Sequence, residues 1–312
     1  MVHTTTARRR IIIGAMAAAT SLLAACAANP TTGSAASSGS HSSAPTIKKD
    51  AALAAMLPDS VKSSGKLVSV DSGSFPPYTI VGTGGGAETG ASADMEAAVG
   101  KLLGVTIENN TIDGLAGELA GIGAGRYDFA FGPVGDFKSR QAQNDFVDWV
   151  QEHVVFAVLK GNPKHINSIA DTCGLAISVQ AGGSAEKVIN GQSTQCTAAG
   201  KPAIQVQSYK DQPTSLLAVS SHRADAFFSS QAPLTYFTQH SNDELELAGT
   251  GQANGFDKLY QGAVVPKGSA LGPVLSKAFQ ELDRNGTYKS IMDKWGLSAN
   301  EISNPGINLA VS

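Results

Sequence analysis

The chain has 312 residues, of which 42% are hydrophobic, and this length is sufficient for two compact domains of ordinary size. It carries 23 Lys and Arg against 26 Asp and Glu, a formal net charge of −3, and no run rich in Lys or Arg follows the first ten residues. This charge pattern argues against a nucleic-acid partner and against electrostatic binding to a membrane surface.

The N-terminus has the pattern of a bacterial lipoprotein signal peptide covering residues 1–25. Three arginines at positions 8–10 precede a mostly apolar, uncharged run over residues 11–25, which is shorter than the roughly 20 residues that span a bilayer. The run ends in Leu-Ala-Ala before Cys26, which looks like a lipobox whose cysteine receives diacylglycerol. An ordinary secretory signal with a chance cysteine is the alternative, and export by the Sec or the twin-arginine route stays open.

Residues 26–64 are expected to form a flexible linker behind the lipid anchor. Residues 27–46 are dominated by Ala, Ser, Thr, Gly and Pro without any charge, a composition that cannot bury enough apolar surface to offset chain entropy. We therefore expect the mature protein to be exported and anchored through Cys26 to the outer face of the cell membrane. Removing residues 1–25 deletes three arginines and no acid, which leaves 20 basic and 26 acidic residues and a charge of −6.

Two cysteines, Cys173 and Cys196, remain after acylation of Cys26. In an exported protein an isolated pair is best interpreted as a disulfide. Closing a loop of this length would stabilise the folded protein by about 3 kcal/mol. Neither cysteine has a CxxC partner or a closely spaced histidine, so a metal site is poorly supported and we expect no cofactor.

Strand and helix patterns alternate from Lys66 onwards. The sequence predicts strands over residues 66–70 and 105–109, a glycine-rich turn over 82–90, and a helix over 93–103 that ends at Gly104. A second set follows, with strands over 154–159, 176–179, 204–206 and 262–265 and helices over 185–189, 274–282 and 288–295. Such alternation predicts an α/β protein whose mostly parallel sheets are flanked by helices.

A helix-to-strand corner occurs twice, as GRYDFAFGP at residues 125–133 and as HRADAFFSS at residues 222–230. This repeat indicates two similar lobes whose strands deliver their ends to a shared cleft, where ligands of open α/β sheets bind. We expect lobe I to cover residues 65–155 and 256–298, lobe II residues 156–255, and a C-terminal tail residues 299–312.

Five segments in chain order resemble the family 3 extracellular solute-binding proteins, the amino-acid receptors of bacterial ABC importers. They are KLVSVDSGSFPPYTIVG, TGASADMEAAVGKLLG, the first corner leading to FKSR, DTCGLAISVQAGGSAEK, and LDRNGTYKSIMDKWGL. The resemblance implies a type II periplasmic-binding fold, in which two lobes joined by two hinge strands close on a small solute. The receptor, expected to be a monomer, would deliver the solute to a membrane permease. ATP hydrolysis would belong to a partner, because no phosphate-binding GxxxxGK[ST] motif occurs.

The resemblance places Arg140 as the clamp for a ligand carboxylate, a role that suits the two-donor fork of a guanidinium. A surface arginine on a helix is the alternative. Gly183 and Ser184 lie at a strand-to-helix corner whose free N–H groups attract an anion, although N-capping by Ser184 explains the same residues. Phe75 is expected to be the aromatic wall of the site, with Tyr78 beside it and nearer to the core.

The candidate site also includes Pro133, Gly135 and Asp136 after the first corner, and Ser230 and Gln231 after the second. The family usually has Thr or Ser at the position of Gly135, and an aspartate that pairs with the ligand ammonium where this chain has serines. We therefore hypothesise a ligand without a free primary α-amine, unless Asp136 supplies the missing charge. Capping of the following helix is the alternative role of Asp136. Asp94, Asp128 and Asp225 are interpreted as structural.

Two other functions compete with an amino-acid receptor. An enzyme on the same scaffold, similar to cyclohexadienyl dehydratases, would need a general acid or base in the cleft, but the six histidines are scattered and form no Ser/His/Asp set. A ligand-sensing accessory lipoprotein would have the same sequence features as a transport receptor. We expect a binding protein and not an enzyme.

Overall fold

The computed structural model describes residues 46–82 and 87–311. The predicted signal peptide, Cys26, most of the predicted linker and the tip of the glycine-rich turn lie outside the described residues. Across the described part of the chain, no helix has the length and apolar character needed to cross a membrane.

The described residues form strands and helices in the following chain order. The strands are β1 (Lys66–Asp71), β2 (Thr106–Thr111), β3 (Phe129–Gly135), β4 (Asn144–Glu152), β5 (Val154–Leu159), β6 (Ala176–Gln180), β7 (Gln205–Tyr209), β8 (Ala226–Ser230), β9 (Leu245–Ala248), β10 (Leu259–Pro266) and β11 (Glu301–Ile307). The helices are α1 (Ala51–Ala55), α2 (Asp59–Ser64), α3 (Ala91–Leu103), α4 (Leu115–Gly123), α5 (Lys138–Gln141), α6 (Ser184–Ala198), α7 (Gln212–Ser220), α8 (Gln231–Gln239), α9 (Leu271–Arg284) and α10 (Thr287–Lys294).

The strands form two sheets, and we call the part of the chain around each sheet a lobe. The sheet of lobe I has the order β11-β4-β10-β3-β1-β2, and the sheet of lobe II has the order β7-β6-β8-β5-β9. The chain passes from lobe I to lobe II between β4 and β5 and returns between β9 and β10. β4 and β10 pair with each other along their length and form the two connections.

Both sheets are mixed, whereas the sequence predicted mostly parallel ones. β1 pairs in parallel with β2 and β3, and β6 with β7 and β8, as the alternation of strand and helix requires. β10, β4 and β5 pair antiparallel with their neighbours. The antiparallel strands are those that leave or re-enter a lobe, so their direction follows from the double crossing of the chain.

Each sheet is covered on both faces by apolar packing. Alternate residues of one strand therefore enter different clusters: Val147 lies in one cluster of lobe I and Phe146 in the other, and Phe228 and Phe227 are divided in the same way in lobe II. The largest buried side chain, Trp149, lies in the core of lobe I. Two sheets, each packed on both faces, thus present their strand ends to the space between them.

The repeated corner has the same geometry in both lobes. The carboxylate of Asp128 accepts from the backbone N of Val68 at 2.7 Å, and the Asp128 N–H donates to the carbonyl of the same residue at 2.9 Å. Asp225 makes the equivalent pair with Ala176, at 2.9 and 2.7 Å. Each aspartate therefore fastens the start of one strand to its parallel neighbour, which is a structural role.

The predicted boundaries differ from the structure at both ends. Residues 51–64, assigned to the linker, form α1 and α2, because Leu53, Leu57 and Val61 pack into the core of lobe I. Residues 301–307, assigned to a tail, form β11 and pair with β4 at the edge of the lobe I sheet. Both segments therefore belong to lobe I.

Cys173 and Cys196 form a disulfide with their Cα atoms 5.6 Å apart. It fastens the start of lobe II to the last turn of α6. Neither sulfur lies in the wall of the cleft described below.

Candidate functional site

A cavity lies between the two lobes, and we call it the central cleft. It encloses about 740 Å³ of space between atoms, part of it open to solvent, which is within the size range of small-molecule sites. Its wall is made by the ends of β1, β3 and β8, the starts of α4 and α6, and the hinge strand β10. Seven of the predicted site residues line it: Phe75, Pro133, Gly135, Arg140, Gly183, Ser184 and Ser230.

Arg140 reaches across the cleft from lobe I to lobe II. It lies on the short helix α5, and its guanidinium donates to the carbonyl of Gly135 in lobe I at 2.8 Å and to the carbonyl of Gly182 in lobe II. Burial lowers the pKa of Arg140 from its ordinary value, and the charges of Glu118 and Asp136 oppose this shift. A guanidinium has five N–H donors, so further donors remain for a ligand carboxylate.

The N-terminus of α6 lies in the same wall. Gly183 is the N-cap residue and Ser184 is the first helical residue, so the predicted capping by Ser184 is wrong. No side chain in the described part of the chain caps α6, and its first-turn N–H groups are therefore open to an anion in the cleft. Arg140 and the start of α6 together make one end of the cleft suitable for a negative group.

The loop after β1 supplies the aromatic part of the wall. Phe75 is half-buried and lines the cleft. Tyr78 does not line it, which corrects the prediction for this residue: the ring is fully buried behind Phe75, with the two centroids 5.7 Å apart. The Tyr78 hydroxyl donates to Glu152 at 2.6 Å, next to the first crossing between the lobes.

Gly135 leaves room for a neighbouring aromatic ring. A Cβ atom at this position would lie 2.9 Å from the ring of Phe137, 3.3 Å from Ser184 Oγ and 3.4 Å from the guanidinium of Arg140. The departure from Thr or Ser noted in the sequence therefore has a steric reason. Pro133, two residues earlier on β3, completes this part of the wall.

Phe137 belongs to lobe I in sequence but packs into the core of lobe II. It is only 9% exposed, and its ring lies 5.9 Å from that of Phe256. The guanidinium of Arg140 and the Lys187 ammonium lie 5.2 and 5.7 Å from its ring centre. Phe137 thus joins the two lobes directly beside the cleft.

Asp136 does not face the cleft, contrary to the prediction. It is buried, and its carboxylate accepts from the Gln141 amide at 2.8 and 3.0 Å and from the backbone N of Ala310 at 2.9 Å. The alternative role, capping of the following helix by Asp136, is also wrong, because the N-cap residue of α5 is Phe137. Asp148 lies beside Asp136, and burial together with the charge of Asp136 raises the pKa of Asp148 to about 8. The pair holds the C-terminal segment and supplies no charge to the cleft wall.

The lobe II wall consists of neutral polar groups. Ser229 Oγ donates to Gln212 Oε1 at 2.9 Å, and Gln212 Nε2 donates to Gln180 Oε1 at 2.8 Å. Ser230 Oγ accepts from Gln261 Nε2 at 3.2 Å. Gln231 is not part of this wall, because it begins α8, with its backbone N bonded to the carbonyl of His153 on the outer side of the hinge.

Two acidic residues of lobe I line the cleft and were not predicted. Asp71 ends β1, and its carboxylate accepts from the backbone N of Gly73 at 2.7 Å and from Thr111 Oγ1 at 3.1 Å. Glu118 lies in the first turn of α4 and is 1% exposed. Burial raises the pKa of Glu118 to about 8, Asp71 adds to the shift, and Ser72 and Arg140 oppose it. Glu118 was missed although its spacing from Leu115 and Ile122 places it on the buried face of α4, where a carboxyl among apolar residues could have marked it as a site residue.

A family model for bacterial extracellular solute-binding proteins, family 3, matches residues 67–298. The arginine-binding protein ArgT of Corynebacterium glutamicum is 27% identical over 255 residues, which cover 81% of this chain and 82% of ArgT. The L-cystine-binding protein TcyJ of Escherichia coli K12 is 26% identical over 239 residues, which cover 75% of this chain and 84% of TcyJ.

Among solved structures, an ancestral arginine-binding protein bound to arginine superposes with a TM-score of 0.64 at 26% identity, over 74% of this chain and 98% of that one. The family match spans both lobes and the hinge strands, and the two-lobe α/β architecture agrees with it. The chain therefore belongs to the bacterial extracellular solute-binding proteins of family 3.

Proposed function

We propose that this protein is the extracytoplasmic receptor of a bacterial ABC importer for a polar amino acid or an amino-acid derivative. The ligand binds in the central cleft and is delivered to a permease in the membrane, while a partner ATPase supplies the energy. The family match supports a solute-binding role, and relatives named for binding arginine and cystine support an amino acid as the ligand class. We assign the protein no catalytic step and expect it to act as a monomer.

The position of Arg140 carries this proposal. Its guanidinium lies between the lobes, next to the uncapped N-terminus of α6, so two independent sources of positive potential converge on one end of the cleft. An α-carboxylate bound there would contact lobe I through Arg140 and lobe II through Gly183 and Ser184. The ligand would then hold the lobes together, which is the requirement for a receptor that closes on its solute.

The remaining wall suits the rest of a small polar ligand. Phe75 offers an apolar face, and Ser230 and the neighbouring amides offer neutral donors and acceptors. The Oε1 atom of Gln261 is buried and has no hydrogen-bond partner among the described residues. Buried polar atoms are normally paired, so a ligand donor at this position would complete the wall.

A thermal-unfolding screen tests the proposed function. The panel contains amino acids, their Nα-acetyl forms and small carboxylates, and a ligand at about a thousand times its Kd should add about 4 kcal/mol of stability. Arg140→Lys keeps the charge but loses the two-donor fork, so we expect at least about a tenfold weaker Kd. Arg223→Lys, an exposed arginine of lobe II, is the matched control. The proposal fails if no compound raises the Tm, or if Arg140→Lys binds as tightly as the wild type.

The Nα-acetyl forms also test the hypothesis derived from the serines of the second corner. If the ligand lacks a free primary α-amine, an acetylated amino acid should bind at least as tightly as the parent compound. Tighter binding of the parent amino acid would contradict that hypothesis while leaving the receptor function intact.

We also propose that Cys26 carries the lipid anchor. Cells expressing the full chain should incorporate labelled palmitate into the protein, and Cys26→Ser should abolish the label. Cys26→Ser should also release the protein from the membrane fraction, whereas the doubly substituted Cys173→Ser/Cys196→Ser chain should remain labelled. Equal labelling of the Cys26→Ser chain would refute the anchor.

A further inference from the structure

The charged side chains in the wall of the central cleft are not balanced. Among the described residues that line it, Arg140 is the basic one, and Asp71 and Glu118 are acidic. All three belong to lobe I, while the lobe II wall is made of neutral groups. When both carboxyls are ionised, the side chains of the cleft wall therefore have a net charge of −1.

The protein uses Glu118 only in part: a hydrogen bond with Ser72 favours its ionised form, but one of its two carboxyl oxygens is left without a partner among the described residues. The residue is 1% exposed, and its Oε1 atom has no hydrogen-bond partner in residues 46–82 and 87–311. Arg140, the cation of the same wall, donates to the carbonyls of Gly135 and Gly182 and forms no ion pair with Glu118. A buried carboxyl oxygen without a partner is unfavourable for folding, and such groups concentrate at functional sites.

Asp71 differs from Glu118 in this respect. Its two oxygens accept from Gly73 and Thr111, so its orientation is already fixed by the fold. Glu118 is the acidic group whose bonding a ligand can complete. The first turn of α4 holds it there, since the packing of Leu115 and Ile122 on the lobe I sheet sets the orientation of the helix.

We propose that Glu118 selects a ligand with a net positive charge, a dibasic amino acid or a related compound with one carboxylate and two cationic groups. The carboxylate binds at Arg140, and the cationic groups are held from lobe I by Asp71 and Glu118. This inference rests on the proposed function and specifies its ligand class. It is the alternative to a ligand without a free primary α-amine, because Asp71 and Glu118 would supply from lobe I the acidic partners that are missing at Ser230.

A proton is linked to this binding event. Burial raises the pKa of Glu118 to about 8, and the charged groups around it are Asp71 from β1 and Arg140 from α5. Near pH 7 the carboxyl is mostly protonated in the free protein, and a bound cation favours the ionised form. Binding of a dibasic ligand should therefore release close to one proton, whereas binding of a neutral analogue should release much less.

Titration calorimetry with L-arginine and L-citrulline tests the inference. Citrulline has nearly the same shape as arginine but an uncharged side chain. We expect the wild type to bind arginine at least about tenfold more tightly than citrulline, as for other charge-assisted bonds, and Glu118→Gln to lose most of this preference. Measurements in buffers of different ionisation enthalpy should show proton release with arginine for the wild type and not for Glu118→Gln.

Glu96→Gln is the matched control. Glu96 is also a buried glutamate on a helix of lobe I with an unpartnered Oε1, and burial raises its pKa to about 7, but it does not line the central cleft. This variant should keep both the arginine preference and the proton release. Equal binding of arginine and citrulline by the wild type, or an unchanged preference in Glu118→Gln, would overturn the inference while leaving an amino-acid receptor. Failure of every amino acid to bind would instead overturn the proposed function.

Discussion

Phe137 is expected to control closure of the cleft. The ring projects from lobe I into the core of lobe II and is 9% exposed in the structure. If the lobes separate in the free receptor, this ring must leave its place beside Phe256. Phe137→Ala therefore should destabilise the closed state, with a smaller effect on the folding of either lobe.

The magnitude follows from the area that closure removes from water. Full burial of a Phe side chain contributes about 1.5–3 kcal/mol, and part of the Phe137 ring stays covered by Arg140 when the lobes open. A loss of about 2 kcal/mol from the closed state corresponds to roughly a 30-fold increase in the ligand Kd, since 1.4 kcal/mol is a factor of ten. The ligand contacts themselves should be unchanged.

Calorimetry with a ligand from the screen measures this effect, and small-angle scattering reports whether the free protein becomes more extended. Phe279→Leu is the control, because Phe279 is fully buried inside the core of lobe I, away from the cleft. It should lower the Tm and leave the Kd within about twofold. A lowered Tm with an unchanged Kd for Phe137→Ala would refute the argument, because the ring would then act only in folding.

Three further predictions concern stability. The pKa of Glu118 is raised to about 8, so the folded protein keeps a proton that the unfolded chain releases above about pH 4.5. Its stability should therefore fall by about 1.4 kcal/mol per pH unit towards pH 8, and urea unfolding of Glu118→Gln at about pH 5 and 8 should show a shallower decrease. Tyr78→Phe removes the donor to buried Glu152 and should cost about 1–3 kcal/mol in the same assay. Replacing Cys173 and Cys196 by serine should cost about 3 kcal/mol without changing the ligand Kd, because the closed loop spans 23 residues and neither cysteine lines the cleft.

Local signals in the sequence were sufficient for most of the fold. Gly104 ends α3 in the left-handed conformation as predicted, and the repeated aspartate corners mark the equivalent strands of two lobes. The mixed sheets were not predicted, because strand direction depends on where the chain crosses between lobes. α1 was assigned to the linker because its apolar pattern is too short to predict a helix by itself. The helix is stabilised by the packing of Leu53 on lobe I, which the local sequence does not show.

The site was predictable where a residue lies on a motif and unpredictable where tertiary packing decides. The family resemblance placed Arg140 in the site and the strand-to-helix corner indicated Ser184, and both line the cleft. Asp136 directly follows Gly135 in the sequence, but its carboxylate points away from the cleft to the C-terminal segment. There it accepts from the backbone N of Ala310, which is 174 positions away. Packing also decides the position of Glu118. The face of α4 that packs on the lobe I sheet includes Glu118, so this residue is buried in the wall of the cleft.

The division of charge between the lobes has a consequence for the order of binding. Arg140, Asp71 and Glu118 all belong to lobe I, whereas lobe II contributes the start of α6, amides and hydroxyls. Electrostatic attraction is felt at longer range than neutral hydrogen bonds, so a charged ligand should first associate with lobe I. Lobe II can then close over it, with Phe137 entering the lobe II core and the Gly182 carbonyl reaching Arg140. On this argument the association rate should depend on salt, and on Glu118 above about pH 8, where this carboxyl ionises in the free protein, while substitutions in the lobe II wall such as Gln212→Ala should act mainly on dissociation. Stopped-flow binding at two ionic strengths would separate these effects, and a salt-independent association rate would contradict the assignment of the first encounter to lobe I.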